Sequence, residues 1–495
     1  MNIHRQIKVP YILSFLLTCV SIWLLTKIHL FYVPNSDFMN YLNVGRRMFI
    51  NPMDPVITSA PLYPVIIWIF EILVPIESPG VIIGIVFNII CFIATLYVMW
   101  MLIRRVMSQH ALIPVVLFAV NPLSLYVVLQ PSNLPLAVLF VFLAILTHKH
   151  KPIYSFSMLF LGSITRIEVL VLFAIIMLHD LFILRKNRCP KGLLILFILL
   201  FAWYARPVMP HDNYVSEISH RLIELPNLAF IRNSVLRAPF SINLLTSHKI
   251  FDYTSPESFL VLMLLFWLFI GARIYKKESP EYSTMTNSFM LSYGLIHLLF
   301  PDRTIRYSFP LLPFVYVFLF LPFRGVFRFR KTDYTGIMRY AVIFIACGIA
   351  VLSFTHGSTY TNDQRWDRAE RRLVSEWLNT YIRSPSVVYA FEPYVHRYYN
   401  KNNNIQYHTT HDQSAWKNEL CMEKRDVYII FDNQTTSSGS YYDHINGLDY
   451  FLAMQQSTEA MKQLKIVHSI KAGHRYANVY RFINTSEGWC GNFFK

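Results

Sequence analysis

The chain has 495 residues, 54% of them hydrophobic and only 15% charged. A soluble globular protein carries about a quarter charged residues, so this composition excludes an ordinary soluble domain. The net charge of +16 would suit a nucleic-acid binder, but no aromatic-basic recognition module accompanies it and the basic residues flank apolar runs, which excludes that class.

Apolar runs recur through the first 355 or so positions, and a bilayer-spanning helix needs about 20 such residues. The first, Val9 to Leu30, is too long and too weakly terminated for a cleaved signal peptide and lacks a small-residue cleavage site, so it reads as a span over about 9–31. An external loop of about 32–78 follows. Within it Pro61 to Pro75 is apolar but short and carries Glu71, which suits a helix lying along the membrane surface. Further spans are expected at about 80–103, 111–128, 134–147, 152–165, 168–184, 192–208, 256–274, 285–300, 307–323 and 338–355. Basic clusters such as Arg104/Arg105, Lys149/Lys151, Arg185/Lys186/Arg188/Lys191, Arg273/Lys276/Lys277 and Arg324/Arg328/Arg330/Lys331 border these runs. The positive-inside rule places all of them in the cytoplasm. The expected fold is a multi-pass α-helical membrane protein of about eleven spans, with a cytoplasmic N-terminus and an external C-terminus. A second external loop, about 209–255, is interrupted by Pro210, Pro226 and Pro239.

Beyond about residue 356 the composition changes. Asp367 to Ile382 has apolar residues at helical spacing. Ser386 to Phe391, Asp426 to Phe431, Lys465 to Ile470 and Ala477 to Ile483 read as strands, and Leu448 to Leu464 as a helix. This predicts an external, periplasmic or luminal α/β domain over 356–495, after a transmembrane region over 1–355. It has no glycine-rich phosphate loop and no nucleophile elbow, so its expected role is structural or acceptor-guiding. Cys421 and Cys490 fall in this domain, where a disulfide is open to them.

The first external loop carries the chemistry. Asp37 follows the first span within about half a dozen residues, Asn51-Pro52-Met53-Asp54-Pro55 forms a turn segment, and Pro61-Leu62-Tyr63-Pro64 opens the surface helix. This arrangement resembles the first luminal or periplasmic loop of GT-C-fold glycosyltransferases, membrane enzymes that use polyprenyl-phosphate sugars. They include protein O-mannosyltransferases, the aminoarabinose transferase of lipid A and polyprenyl-phosphate-mannose-dependent mannosyltransferases. Thr165-Arg166-Ile167-Glu168 is similar to an element ending an inner span in several such families, and Arg306 to Pro313 is similar to their late Pro-x-x-Pro span. Met53 replaces an aromatic of the family turn. Asp37 lacks the acidic neighbour of the protein O-mannosyltransferases, which points away from that subgroup. The resemblance implies a glycosyltransferase of the hexosyl or mannosyl type, moving a hexose or pentose from a polyprenyl-phosphate donor to a glycan, glycolipid or protein acceptor.

Inverting transfer to a hydroxyl needs a general base opposite the departing phosphate, and Asp37 is the leading candidate. Asp54, Arg166 and Glu168 are secondary; Arg166 and Glu168 also suit an ion pair that holds a cavity. The lipid phosphate needs cations on the external side, and Arg206, His211, Arg303 and Arg306 are placed there. No cofactor is expected, and with no acidic partner close to Asp37 no metal requirement is predicted. The expected location is a bacterial inner membrane, with the endoplasmic reticulum as alternative. Two competing classes are weighed. An O-antigen-type polymerase or ligase would rest on late Arg/His loops without an Asp after the first span. A lipid-linked saccharide transporter would show inverted repeats and broken midplane helices.

Overall fold

A computed structural model describes residues 18–20, 22–26, 36–50, 60–74, 79–107, 111–183, 190–205, 257–299, 309–323, 340–352, 354–355, 369–390, 393–409, 426–432, 464–472 and 475–482. The chain divides into two compact units. The first comprises Met1–Ile28 and Tyr41–Thr361, the second His29–Asn40 and Asn362–Lys495.

Before residue 361 the described elements are all helical: α1 Ser36–Ile50, α2 Leu62–Leu73, α3 Pro79–Met107, α4 Leu112–Val120, α5 Pro122–Leu129, α6 Leu134–Thr147, α7 Pro152–Ser163, α8 Ile167–Leu178, α9 Lys191–Ala205, α10 Glu257–Glu278, α11 Pro280–Leu299, α12 Leu312–Phe320 and α13 Tyr340–Leu352. Proline stands at the first or second position of α5, α6, α7 and α12. There its fixed φ suits the helix and its missing N–H has no partner to lose. Among the described residues α3 is long and apolar enough to cross a bilayer, and α4 with α5 makes a second such span if the bent pair counts as one.

Over the span expected at 111–128 the structure shows this bent pair, the chain turning by 59° between α4 and α5. The residue before a proline is pushed out of the helical region, and Asn121 adopts φ −62°, ψ 132°. Its Oδ1 then accepts from Leu123 N at 2.8 Å, capping α5, while its Nδ2 donates to the Tyr316 hydroxyl of α12 at 2.8 Å.

Outward faces of these helices are apolar. Ile195, Ile198, Leu199 and Phe201 on α9, Phe344, Ile345 and Val351 on α13, and Ile82 and Ile90 on α3 are all exposed. Water-soluble surfaces rarely gather such patches, whereas a hydrocarbon surrounding requires them. Close packing inside uses small residues: a Cβ on Gly271 of α10 would fall 1.9 Å from the Phe318 carbonyl oxygen of α12.

After residue 361 comes α14 Ala369–Tyr381, then β1 Ser386–Ala390, α15 Pro393–Tyr399, β2 Ile405–Thr409, β3 Asp426–Asp432, β4 Leu464–Ala472 and β5 Arg475–Phe482. Sheet order is β2-β1-β3-β5-β4. Strand β1 pairs in parallel with β2 and β3, and β5 runs antiparallel to β3 and β4. Val374 and Leu378 of α14, at helical spacing, pack with Val388, Ile430 and Val479 of the sheet. The four strands read from the sequence are present. Helix α15 and strand β2 are additions to that reading, and the helix expected at 448–464 lies outside the described residues, as do Cys421 and Cys490.

Candidate active site

The turn between α7 and α8 is a junction for three other parts of the first unit. A helix leaves its last carbonyls without internal partners, and here the donors come from elsewhere. The Tyr204 hydroxyl of α9 donates to Ser163 O at 2.9 Å. Leu62 N, opening α2, donates to Ile164 O at 2.9 Å. Asn133, just before α6, donates from Nδ2 to Thr165 O at 3.0 Å. Gly162 permits the tight reversal, since a Cβ there would meet Val169 Cγ1 at 2.7 Å.

Arg166 and Glu168 leave this turn together. Arg166 Nε donates to Glu168 Oε2 at 3.0 Å and Nη2 to Oε1 at 2.5 Å, while Nη1 donates to Asn133 Oδ1 at 2.8 Å. The two side chains are only 8% and 6% exposed. A forked guanidinium facing a carboxylate is the strongest geometry such a pair can take. Glu168 also lies in the first turn of α8, where a negative charge is favoured. The pair therefore acts as a clasp that fixes the α7–α8 turn, and through it the starts of α2 and α6.

Asp37 is the second residue of α1, and its side chain lies outside the described residues. The rest of that helix is pinned. A Cβ on Gly45 would come within 2.5 Å of Pro64 O and 2.8 Å of Trp68 Cβ, so α1 lies directly on α2. Tyr41 meets Tyr63 edge-on at 5.3 Å. Arg46 Nη2 reaches Glu71 Oε1 at 2.9 Å. Tyr63 is fully buried beside Asn88 of α3, whose Nδ2 donates to Gln130 O at 2.8 Å.

Asp54, Arg206, His211, Arg303 and Arg306 lie outside the described residues. The structure thus brings Arg166 and Glu168 together and adds Asn133, which sequence reasoning missed. Among the described residues no group of three or more His, Cys, Asp or Glu is placed to hold a metal ion.

No protein-family model and no curated protein sequence matches the chain. Its fold is similar to that of the Archaeoglobus fulgidus oligosaccharyltransferase, solved tethered by a disulfide to an acceptor peptide containing the NVT sequon. The TM-score is 0.53 at 11% identity, covering 96% of this chain and 74% of that one. It is also similar to ArnT from Cupriavidus metallidurans, solved apo and bound to undecaprenyl phosphate, with a TM-score of 0.49 at 10% identity over 94% of this chain and 97% of that one. The oligosaccharyltransferase likeness shows the fold, and it is the GT-C fold expected from the sequence.

Proposed function

We propose that the chain is an integral-membrane glycosyltransferase of the hexosyl or mannosyl type, moving a hexose or, alternatively, a pentose from a polyprenyl-phosphate sugar to an acceptor hydroxyl on the external face. The reaction inverts the anomeric carbon, and Asp37 is the general base. About eleven spans, a cytoplasmic N-terminus and an external C-terminus belong to this reading, in a bacterial inner membrane or, alternatively, an endoplasmic reticulum. Arg206, His211, Arg303 and Arg306 hold the lipid phosphate. A glycan, glycolipid or protein supplies the hydroxyl, and a peptide belongs in the acceptor screen because the archaeal enzyme was solved with one.

One observation carries the reading: Asp37 opens a helix whose later turns are locked onto α2 through Gly45 and the Tyr41–Tyr63 contact. A general base works only if it is held within hydrogen-bond reach of the proton it takes, and this helix is built to be held. The expectation is that Asp37→Asn lowers transfer by about 10²–10⁴-fold while the protein still accumulates in membranes. Transfer from radiolabelled polyprenyl-phosphate sugars in washed membranes measures it. Wild-type rates in the Asn variant would remove Asp37 as base.

A further inference from the structure

We propose that the end of the first unit where α3 meets α11 binds the phosphate headgroup of an anionic phospholipid, with Arg104 and Arg105 as its guanidinium ligands. Arg104 Cζ stands 4.7 Å over the Trp100 ring, and Arg105 Cζ stands 5.2 Å over the Tyr282 ring. Both guanidinium groups are exposed. Neither makes an ion pair or hydrogen bond among the described residues. Stacking on an aromatic face fixes a guanidinium plane and leaves its forked N–H donors for phosphate oxygens.

Beneath the two arginines lie buried polar atoms that no described residue bonds. Trp100 is 5% and Tyr282 1% exposed. Among the described residues the indole Nε1 and the phenol oxygen have no hydrogen-bond partner, an arrangement folded proteins generally avoid. Tyr282 lies in the first turn of α11, a 20-residue helix whose N-terminus favours anions. Lys276 and Lys277 close α10 just before it, beside the exposed acid Glu278.

The outer face of α3 says which phosphate this is. Ile82, Ile90, Tyr97 and Arg104 recur every seven or eight residues, so they share one helical stripe, and all four are exposed. From Ile90 to Arg104 the helix rises about 20 Å, roughly the depth of one leaflet with its headgroup zone. The stripe offers an apolar track for acyl chains that ends at two cations. A free phosphate would make no use of that track.

The site rests on the membrane reading of the first unit, which retention in carbonate-washed membranes tests by itself. The site is tested on the purified full chain in detergent, using dioctanoyl phosphatidylglycerol, dioctanoyl phosphatidylcholine and inorganic phosphate as probes. Phosphatidylglycerol is expected to raise the melting temperature in a saturable way. Arg104→Gln/Arg105→Gln is expected to weaken that binding about thirtyfold, from two basic contacts near a membrane surface. Arg104→Lys/Arg105→Lys keeps the charge but loses the fork, and is expected to bind more weakly than wild type. Equal shifts from phosphatidylcholine, equal shifts from inorganic phosphate, or unchanged affinity in the Gln variant would each overturn the proposal.

Discussion

Arg166 is a cation buried at 8% exposure, and its three guanidinium nitrogens donate to Glu168 and Asn133. Replacing one member of such a pair leaves the other buried without compensation, at about 3–5 kcal/mol, whereas replacing both with apolar groups of similar volume is close to neutral. Glu168→Ala is therefore expected to destabilise the first unit by about 3–5 kcal/mol, and Arg166→Met/Glu168→Leu by much less. Thermal unfolding in detergent distinguishes the two outcomes. A single and a double variant that unfold alike would show that the pair is no clasp. The cations proposed to hold the lipid phosphate make the opposite kind of prediction. Arg303→Ala or Arg306→Ala is expected to raise KM for the lipid donor about tenfold without loss of folding. If KM stays put in both variants, the phosphate lies elsewhere.

At the scale of elements, α1 matters because of how closely it lies on α2. Gly45 is the contact that sets the distance, with Pro64 O only 2.5 Å from where a Cβ would be. Gly45→Ala is expected to push the helices apart by up to about an ångström and lower kcat, per folded protein, by ten- to a hundredfold. A wild-type kcat would mean that the spacing of α1 from α2 does not position the proposed base. The apolar helices that follow α1 were legible in the sequence because each apolar run carries its own stop signal, usually a proline or a basic pair, whereas α1 falls where an external loop was expected. The break at Asn121-Pro122 was written there too, yet a continuous apolar run hid it. The Arg166–Glu168 contact was legible because the two residues are neighbours. Asn133 was not, since its role depends on a partner 33 residues away. The carbonyls of Ser163, Ile164 and Thr165 were illegible for a deeper reason: side-chain patterns do not record backbone acceptors. In the second unit β2 escaped because a five-residue edge strand is defined by its pairing with β1.

Across the whole molecule the two units answer to different surroundings. The first turns apolar faces outward, while the second packs an apolar core under α14 and buries the ion pair of Arg371 with Asp432 at 2.7 Å. Acid should therefore act on the second unit through a specific group. His396 is fully buried, with Nδ1 2.8 Å from Ser375 Oγ and its ring stacked on Tyr407. The Ser375 hydroxyl donates its one proton to Arg371 O at 2.8 Å, so its oxygen accepts from the His396 Nδ1–H, and the imidazole is neutral. Burial first, and then the charge of Arg371 against an opposing pull from Asp432, push this imidazole down to about 3. An unfolded histidine titrates near 6.5. Above pH 6.5 neither state takes up the proton, and His396 adds no pH dependence. As the pH falls from about 6.5 towards 3, the unfolded state binds a proton that the native state refuses, and stability drops by about 1.4 kcal/mol per pH unit. Hydrogen exchange of peptides from 369–409 in the full chain, corrected for intrinsic rates, is expected to show that slope between pH 6 and pH 4.5. His396→Phe keeps an aromatic ring against Tyr407 and has no proton to bind, so it is expected to remove that component of the slope. An unchanged slope in the variant would assign the acid sensitivity to another group of the second unit.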